Sequence, residues 1–308
     1  MKTPRFAFTL LTTAAATALL LASAHADERT VVKVKAKESS SWNFDAFSSW
    51  VEEVAGDISD SVSGPKRTGT PFRWTGKIAA GKNLEVRGVN GTIRAVPSNG
   101  SEVEVVAIRT GRKSDPDSVR IEVVPHSGGV TVCAVYPSRD DSRPNECKQG
   151  GGRMNVRGND VSVEFEVRVP RDVAFEGRTV NGSIHAEVEG RASVATVNGS
   201  IEVEAGALTD ATTVNGSIRA TVRTEVNSPE DIKLTTVNGS VRLRLPEGVN
   251  ADVSAKTVNG GITSEFDGIT VHKKWGPRSA EGRLGNGGRE LEVTTVNGGI
   301  TISKGSDR

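Results

Sequence analysis

The chain has 308 residues, 39 Lys and Arg against 38 Asp and Glu, 35% hydrophobic residues and 34 glycines. A balanced charge excludes the strongly basic surface of a general nucleic-acid binder, and an ordinary apolar content excludes wholesale disorder. Aromatics are only 4%, so the core must be built from Val, Ile, Leu and Ala, thin side chains suited to flat stacked layers.

Lys2 and Arg5 precede an apolar run from Phe6 to Leu21, and Ala24-His25-Ala26 places small residues around a cleavage point. This pattern predicts a Sec-type secretory signal cleaved after Ala26. A retained anchor fits less well, because the run is shorter than the ~20 residues of a spanning helix. No later segment is long and apolar enough to span a bilayer, so the mature chain is expected without a transmembrane segment and periplasmic or extracellular. Residues 27–70 form an N-terminal segment. Within it Phe47, Trp50, Val51, Val54 and Ile58 recur at helical spacing behind Ser41 as N-cap, which predicts a short amphipathic helix over 39–62. It reads as a cap for the first repeat or as a docking element.

Residues 71–304 read as one β-strand-repeat domain, followed by a 305–308 tail. Strands are predicted at 101–109, 118–124, 129–135 and 161–169, the last alternating Val161, Val163, Phe165, Val167 and Val169 with polar residues. Cys133 and Cys147 are the only cysteines and bracket the polar stretch Pro137–Glu146. In an oxidising compartment such a pair predicts a disulfide, and the rival metal or redox reading lacks C-x-x-C spacing and a His cluster.

One phrase then recurs: Val89-Asn-Gly-Thr-Ile93, Thr179-Val-Asn-Gly-Ser-Ile184, and relatives whose asparagines fall at 198, 215, 238, 259 and 297. Self-similarity of this kind marks stacked repeats. After Gly182 the period is two: Ile184, Ala186 and Val188 point inward, Ser183, His185 and Glu187 outward. Ile201, Val203 and Ala205 repeat the scheme against Glu202 and Glu204, and Ile218, Ala220 and Val222 against Arg219 and Thr221. The expected fold is an all-β, β-helix-like repeat solenoid with Asn-Gly corners, about 34 Å long for seven coils at strand spacing. The alternative is an antiparallel β-meander whose Asn-Gly pairs form type I′ hairpins. The expected corners are Asn90-Gly91, Asn181-Gly182, Asn198-Gly199, Asn215-Gly216, Asn238-Gly239, Asn259-Gly260 and Asn297-Gly298. Asn181, Asn198, Asn215, Asn238 and Asn259 are expected to form a ladder and the glycines after them to hold positive φ. The 38-residue interval before Asn297 is expected to hold an insertion.

These repeats, with the close Leu284-Gly-Asn-Gly-Gly-Arg-Glu-Leu-Glu-Val-Thr-Thr-Val-Asn-Gly-Gly-Ile300 and the signal, resemble the bacterial β-strand-repeat family of unknown function. Its members are labelled candidate adhesins, and related domains are called toastrack. The resemblance spans about residues 70–304. It implies an envelope protein with an adhesion role or an accessory role in membrane-stress signalling, and it supplies no catalytic residues.

No metalloprotease, P-loop or nucleophile-elbow motif is present, and His126, His185 and His272 lie far apart. Gly150-Gly-Gly152 and Gly285-Asn-Gly-Gly288 lack a following helix, and Asp115-Pro-Asp117 reads as a turn. Catalytic residues, cofactors and metals are therefore expected to be absent. The basic insertion Val271–Arg278 reads as a solvated loop. Its alternative is recognition of an acidic glycan or lipid head group, with Trp275 stacking and Lys273, Lys274 and Arg278 supplying charge. The expectation is a non-catalytic exported module whose partner is an envelope protein, glycan or lipid surface, and no nucleic acid. A structural element and a glycan-active solenoid enzyme are the alternatives.

Overall fold

A computed structural model describes residues 65–138, 140, 142–223, 229–272 and 277–305. The secretory segment, the amphipathic stretch over 39–62, and Lys273, Lys274 and Trp275 lie outside the described residues.

Alternating β-branched and polar residues make strands almost throughout. In chain order they are β1 (Arg67–Thr68), β2 (Phe72–Gly76), β3 (Asn83–Arg87), β4 (Ile93–Pro97), β5 (Val103–Gly111), β6 (Arg120–His126) and β7 (Gly129–Val135). There follow β8 (Ser162–Val169), β9 (Ala174–Arg178), β10 (Ile184–Ala195), β11 (Ile201–Thr212), β12 (Ile218–Val222) and β13 (Ile232–Asn238). The chain continues through β14 (Val241–Pro246), β15 (Ala251–Asn259), β16 (Ile262–Ser264), β17 (Ile269–His272), β18 (Arg278–Leu284), β19 (Glu290–Asn297) and β20 (Ile300–Gly305). Asp115-Pro-Asp117 forms a 3-10 turn over Pro116–Ser118, with Asp115 as its N-cap.

The strands build two faces, both traversed by β10 and β11. The first runs β5-β8-β4-β10-β11-β12-β14-β20-β16, with β1 and β2 on the far edge of β5. The second runs β6-β7-β3-β9-β10-β11-β13-β19-β15-β18-β17. From β8 to β16 on the first face and from β7 to β15 on the second, neighbours are parallel. Antiparallel strands close the ends: β5 and β6 at one, the β17–β18 hairpin at the other. The parallel register Ile184↔Ile201↔Ile218 establishes the solenoid and overturns the meander, because a type I′ hairpin joins only antiparallel strands.

Ile184, Ile201, Ile218, Val241 and Ile300 stack in register and are all nearly inaccessible, as are Ala186, Val203, Ala220 and Leu243 beside them. The inward side chains of both faces meet in one core. Its largest buried members, Tyr136, Phe165 and Phe175, lie at the β7–β8 end, where the repeat phrase has not yet begun to recur at short intervals.

Two expectations need correction. Among the corner glycines only Gly91 lies in the left-handed region, at φ 120°. The others are glycine for closeness: a Cβ on Gly216 would sit 1.9 Å from the carbonyl oxygen of Gly199, and one on Gly298 1.9 Å from that of Gly239. Only a residue without Cβ lets successive corners approach this nearly. The second correction concerns order. Asn259 does not stack on Asn238, because the coil of Asn297 lies between them. The interval from 259 to 297 holds the β17–β18 hairpin, which turns the chain back so that β19 enters between β13 and β15.

Candidate functional site

The repeat phrase places three different side chains at each corner. The threonine is buried and donates across the stack to the glycine carbonyl of the neighbouring coil: Thr196 to Gly182 at 2.8 Å, Thr213 to Gly199 at 2.9 Å, Thr236 to Gly216 at 2.8 Å and Thr295 to Gly239 at 2.8 Å. The asparagines form an amide ladder in which each Nδ2 donates to the Oδ1 of the preceding rung: Asn198 to Asn181, Asn215 to Asn198, Asn238 to Asn215 and Asn297 to Asn238, each at 2.8 Å. The ladder begins at Asn90, whose Nδ2 reaches Val161 O at 3.4 Å, and ends at Asn259, which donates to Asn297. Most of these amide groups are engaged with one another, which leaves them little capacity for a ligand. The threonine role carries no signal in a single repeat; only its recurrence before Val-Asn-Gly marks it.

Cys133 on β7 and Cys147 are joined by a disulfide with Cα atoms 5.8 Å apart. Cys147 belongs to a small turn closed by reciprocal hydrogen bonds between Lys148 and Gly151. The link pins this turn against the outer side of β7 and β3. Gly150 N donates to Glu85 Oε2 at 3.1 Å, Thr131 Oγ1 donates to the same oxygen at 2.8 Å, and Arg87 stands 3.5 Å from Glu85. Glu85, Arg87 and Arg178 are thus buried charges with opposite charges beside them. Burial depresses the Arg87 guanidinium below its usual range, against the opposing pull of Glu85. Further along this face Asp210 is buried, and burial pushes its pKa up to about 7 despite the Thr212 hydroxyl, Arg178 and Lys233. A depression beside Arg87, Cys133 and Gly151 has a volume of about 10 Å³, room for about one water.

The outer side of the first face meets solvent. Register sets its side chains in rows. One row runs Glu166, Arg94, His185, Glu202, Arg219, Arg242 and Thr301, and a second pairs Arg168 with Val96 on β8 and β4 and runs Glu187, Glu204, Thr221, Arg244 and Ser303 across β10, β11, β12, β14 and β20. The β10–β12 part is neutralised internally: Arg219 pairs with Glu202 at 3.1 Å, His185 Nδ1 lies 3.4 Å from Glu202, and Arg223 bridges Glu204 at 2.5 Å and Glu187 at 2.9 Å. The Arg219 hydrogen bond holds the Glu202 carboxyl below its usual range, and the Glu204 bond raises the Arg223 guanidinium. On β14 the pattern changes: Arg242 and Arg244 are exposed, and Arg242 stands directly opposite Arg219.

Of the basic residues expected to form the ligand patch, Arg278 is described; it begins β18, exposed and paired with Thr257. His126 is engaged with Thr131 Oγ1 and Gly128 N, and His272 ends β17. Among the described residues no three of His, Cys, Asp and Glu gather as a metal site, and no helix is long and apolar enough to cross a membrane.

Residues 172–303, which hold the corner ladder from Asn181 to Asn297, match the family Toastrack DUF4097. This stretch is a Toastrack domain. The stack extends beyond it, since β3, β4, β7 and β8 continue the same parallel faces ahead of residue 172. The chain is also similar to solved structures. A candidate cell adhesion protein from Clostridium sporogenes is 12% identical with a TM-score of 0.41, over 77% of this chain and 100% of that one. A candidate adhesin from Bacteroides fragilis is 11% identical with a TM-score of 0.34, over 76% and 97%. A candidate lipid binding protein from Parabacteroides distasonis is 10% identical with a TM-score of 0.25, over 77% and 98%. No curated protein matches the chain.

Proposed function

We propose that this chain is an exported, non-catalytic binding module of the bacterial envelope, serving adhesion or envelope-stress sensing. The observation that carries the reading is the outer side of the first face, whose charged rows are fixed in register by parallel strands. A cross-strand hydrogen-bonded stack holds such side chains at constant spacing, which suits recognition of an extended partner. The disulfide fits an oxidising compartment, and the signal over residues 1–26 supplies the route there.

Glycan hydrolysis is the weaker reading. It needs one carboxyl with a raised pKa beside an ionised one. On this face the Glu202 carboxyl is instead held down by Arg219.

Capture from solubilised envelope tests the proposal. The mature protein immobilised through its C-terminus is expected to retain specific material that a variant with charge reversals on β11, β12 and β14 does not. Equal retention by both proteins overturns the reading in favour of a purely structural element.

A further inference from the structure

We propose that Arg219, Arg242 and Arg244 form a binding strip for a linear acidic polysaccharide, engaged through its carboxylate or sulfate groups. The inference rests on the binding-module reading above and names its ligand.

Arg219 on β12 and Arg242 on β14 are directly opposite partners, and Arg244 lies two residues along the same outer row of β14. Like charges in directly opposed positions repel, at a separation near the 4.8 Å strand spacing. Elsewhere on this face the same geometry is used to neutralise charge: Glu202 faces Arg219, and Arg223 takes two glutamates. Arg242 and Arg244 have no carboxylate within ion-pair distance among the described residues, and both are exposed. Beyond them the register supplies hydroxyls rather than acids: Thr301 opposite Arg242, Ser303 opposite Arg244, and Thr263 next to Thr301 at 3.3 Å between Oγ1 atoms. The strip thus runs from a half-neutralised arginine through two unneutralised ones to a row of hydroxyl groups.

Guanidinium forks pair bidentately with planar oxyanions, and hydroxyls serve sugar oxygens in either direction. The strip is drawn out across successive strands, so an extended chain fits it better than a compact ligand. A membrane surface is disfavoured because it rewards apolar side chains that insert. Among the described residues the one exposed large apolar side chain is Val258, and it sits at a corner on β15 rather than on this face.

The test uses the mature chain with polygalacturonate and dextran sulfate as polyanions, neutral dextran as control, and phosphatidylglycerol vesicles. Binding to at least one polyanion, weakening with salt, is expected, with neutral dextran ignored. Arg242→Gln with Arg244→Gln should weaken it about tenfold or more while the melting temperature holds. Lys233→Gln with Lys256→Gln, exposed on the second face, should leave it unchanged. Unchanged polyanion binding by the β14 variant overturns the proposal. So does vesicle binding of equal strength that the same variant abolishes, which would assign the strip to lipid head groups. If envelope material is retained but both polyanions are ignored, the polysaccharide falls and the binding module stands. If envelope material is ignored as well, both fall.

Discussion

Asn297 Nδ2 donates to Asn238 Oδ1 at 2.8 Å across 59 residues of chain, while Asn259, nearer in sequence to both, is the outermost rung. The last coil made is therefore not the last coil stacked. β19 is held on both sides, by β13 and β15, so the C-terminal strand pair is an interior element of the solenoid. Its neighbour β20 is likewise flanked by β14 and β16.

The corner predicts a separation between two neighbouring substitutions. Gly216→Val drives a Cβ into the Gly199 carbonyl oxygen, 1.9 Å away, and should cost on the order of 1–3 kcal/mol as the coil is displaced. Asn215→Ala loses exposed hydrogen bonds to Asn198 and Asn238 that water replaces in part, and should cost about 1 kcal/mol. Thermal denaturation of both variants decides it; a Gly216→Val protein that melts like the parent removes the close-approach account.

Thr236→Val tests the threonine. The swap nearly preserves volume but leaves the Gly216 carbonyl without its donor in a buried setting, a loss of about 1–2 kcal/mol. Thr236→Ser keeps the hydroxyl and should recover part of that stability in denaturant titrations. Equal losses in the two variants would assign the effect to packing alone.

For the disulfide, non-reducing mass spectrometry of exported protein should find no alkylatable thiol. Cys133→Ser with Cys147→Ser should lower stability by about 2–4 kcal/mol, since the link closes a short loop and pins the turn over Glu85. Two free thiols in exported material would contradict the pairing.

Asp210 should make stability depend on pH. Its folded pKa, about 7, lies above the ordinary carboxylate value, so the folded chain keeps a proton that the unfolded chain releases. Stability from this group is then full below about pH 4, falls as pH rises to about 7 and is level above that. The span is on the order of 2–4 kcal/mol. Asp210→Asn should flatten this part of the profile, measured as unfolding free energy against pH; an unchanged slope would show that another group carries it.

Processing gives the last expectation. N-terminal sequencing of exported protein should begin at Asp27, after the small residues Ala24 and Ala26. Retention of Met1 would remove the signal assignment.

By itself the sequence determined what is local. Alternation at i and i+2 sorts Ile184, Ala186 and Val188 inward from His185 and Glu187, and a near-constant 17-residue spacing makes the coils of Asn181, Asn198 and Asn215 immediate neighbours. The tertiary structure decided what depends on returns of the chain. The 21- and 38-residue spacings say nothing of which coil enters between which, because that follows from the β17–β18 hairpin reversing direction. Asn-Gly alone does not distinguish a left-handed turn from a close backbone approach, since both demand a missing Cβ. Arg219 is legibly outward-facing, but its opposition to Arg242 is a register across a 23-residue spacing, and the burial of Glu85 and Arg87 needs a turn brought back by Cys147. Side-chain direction is a property of one strand; charge opposed to charge, or covered from water, belongs to strands that meet only in the fold.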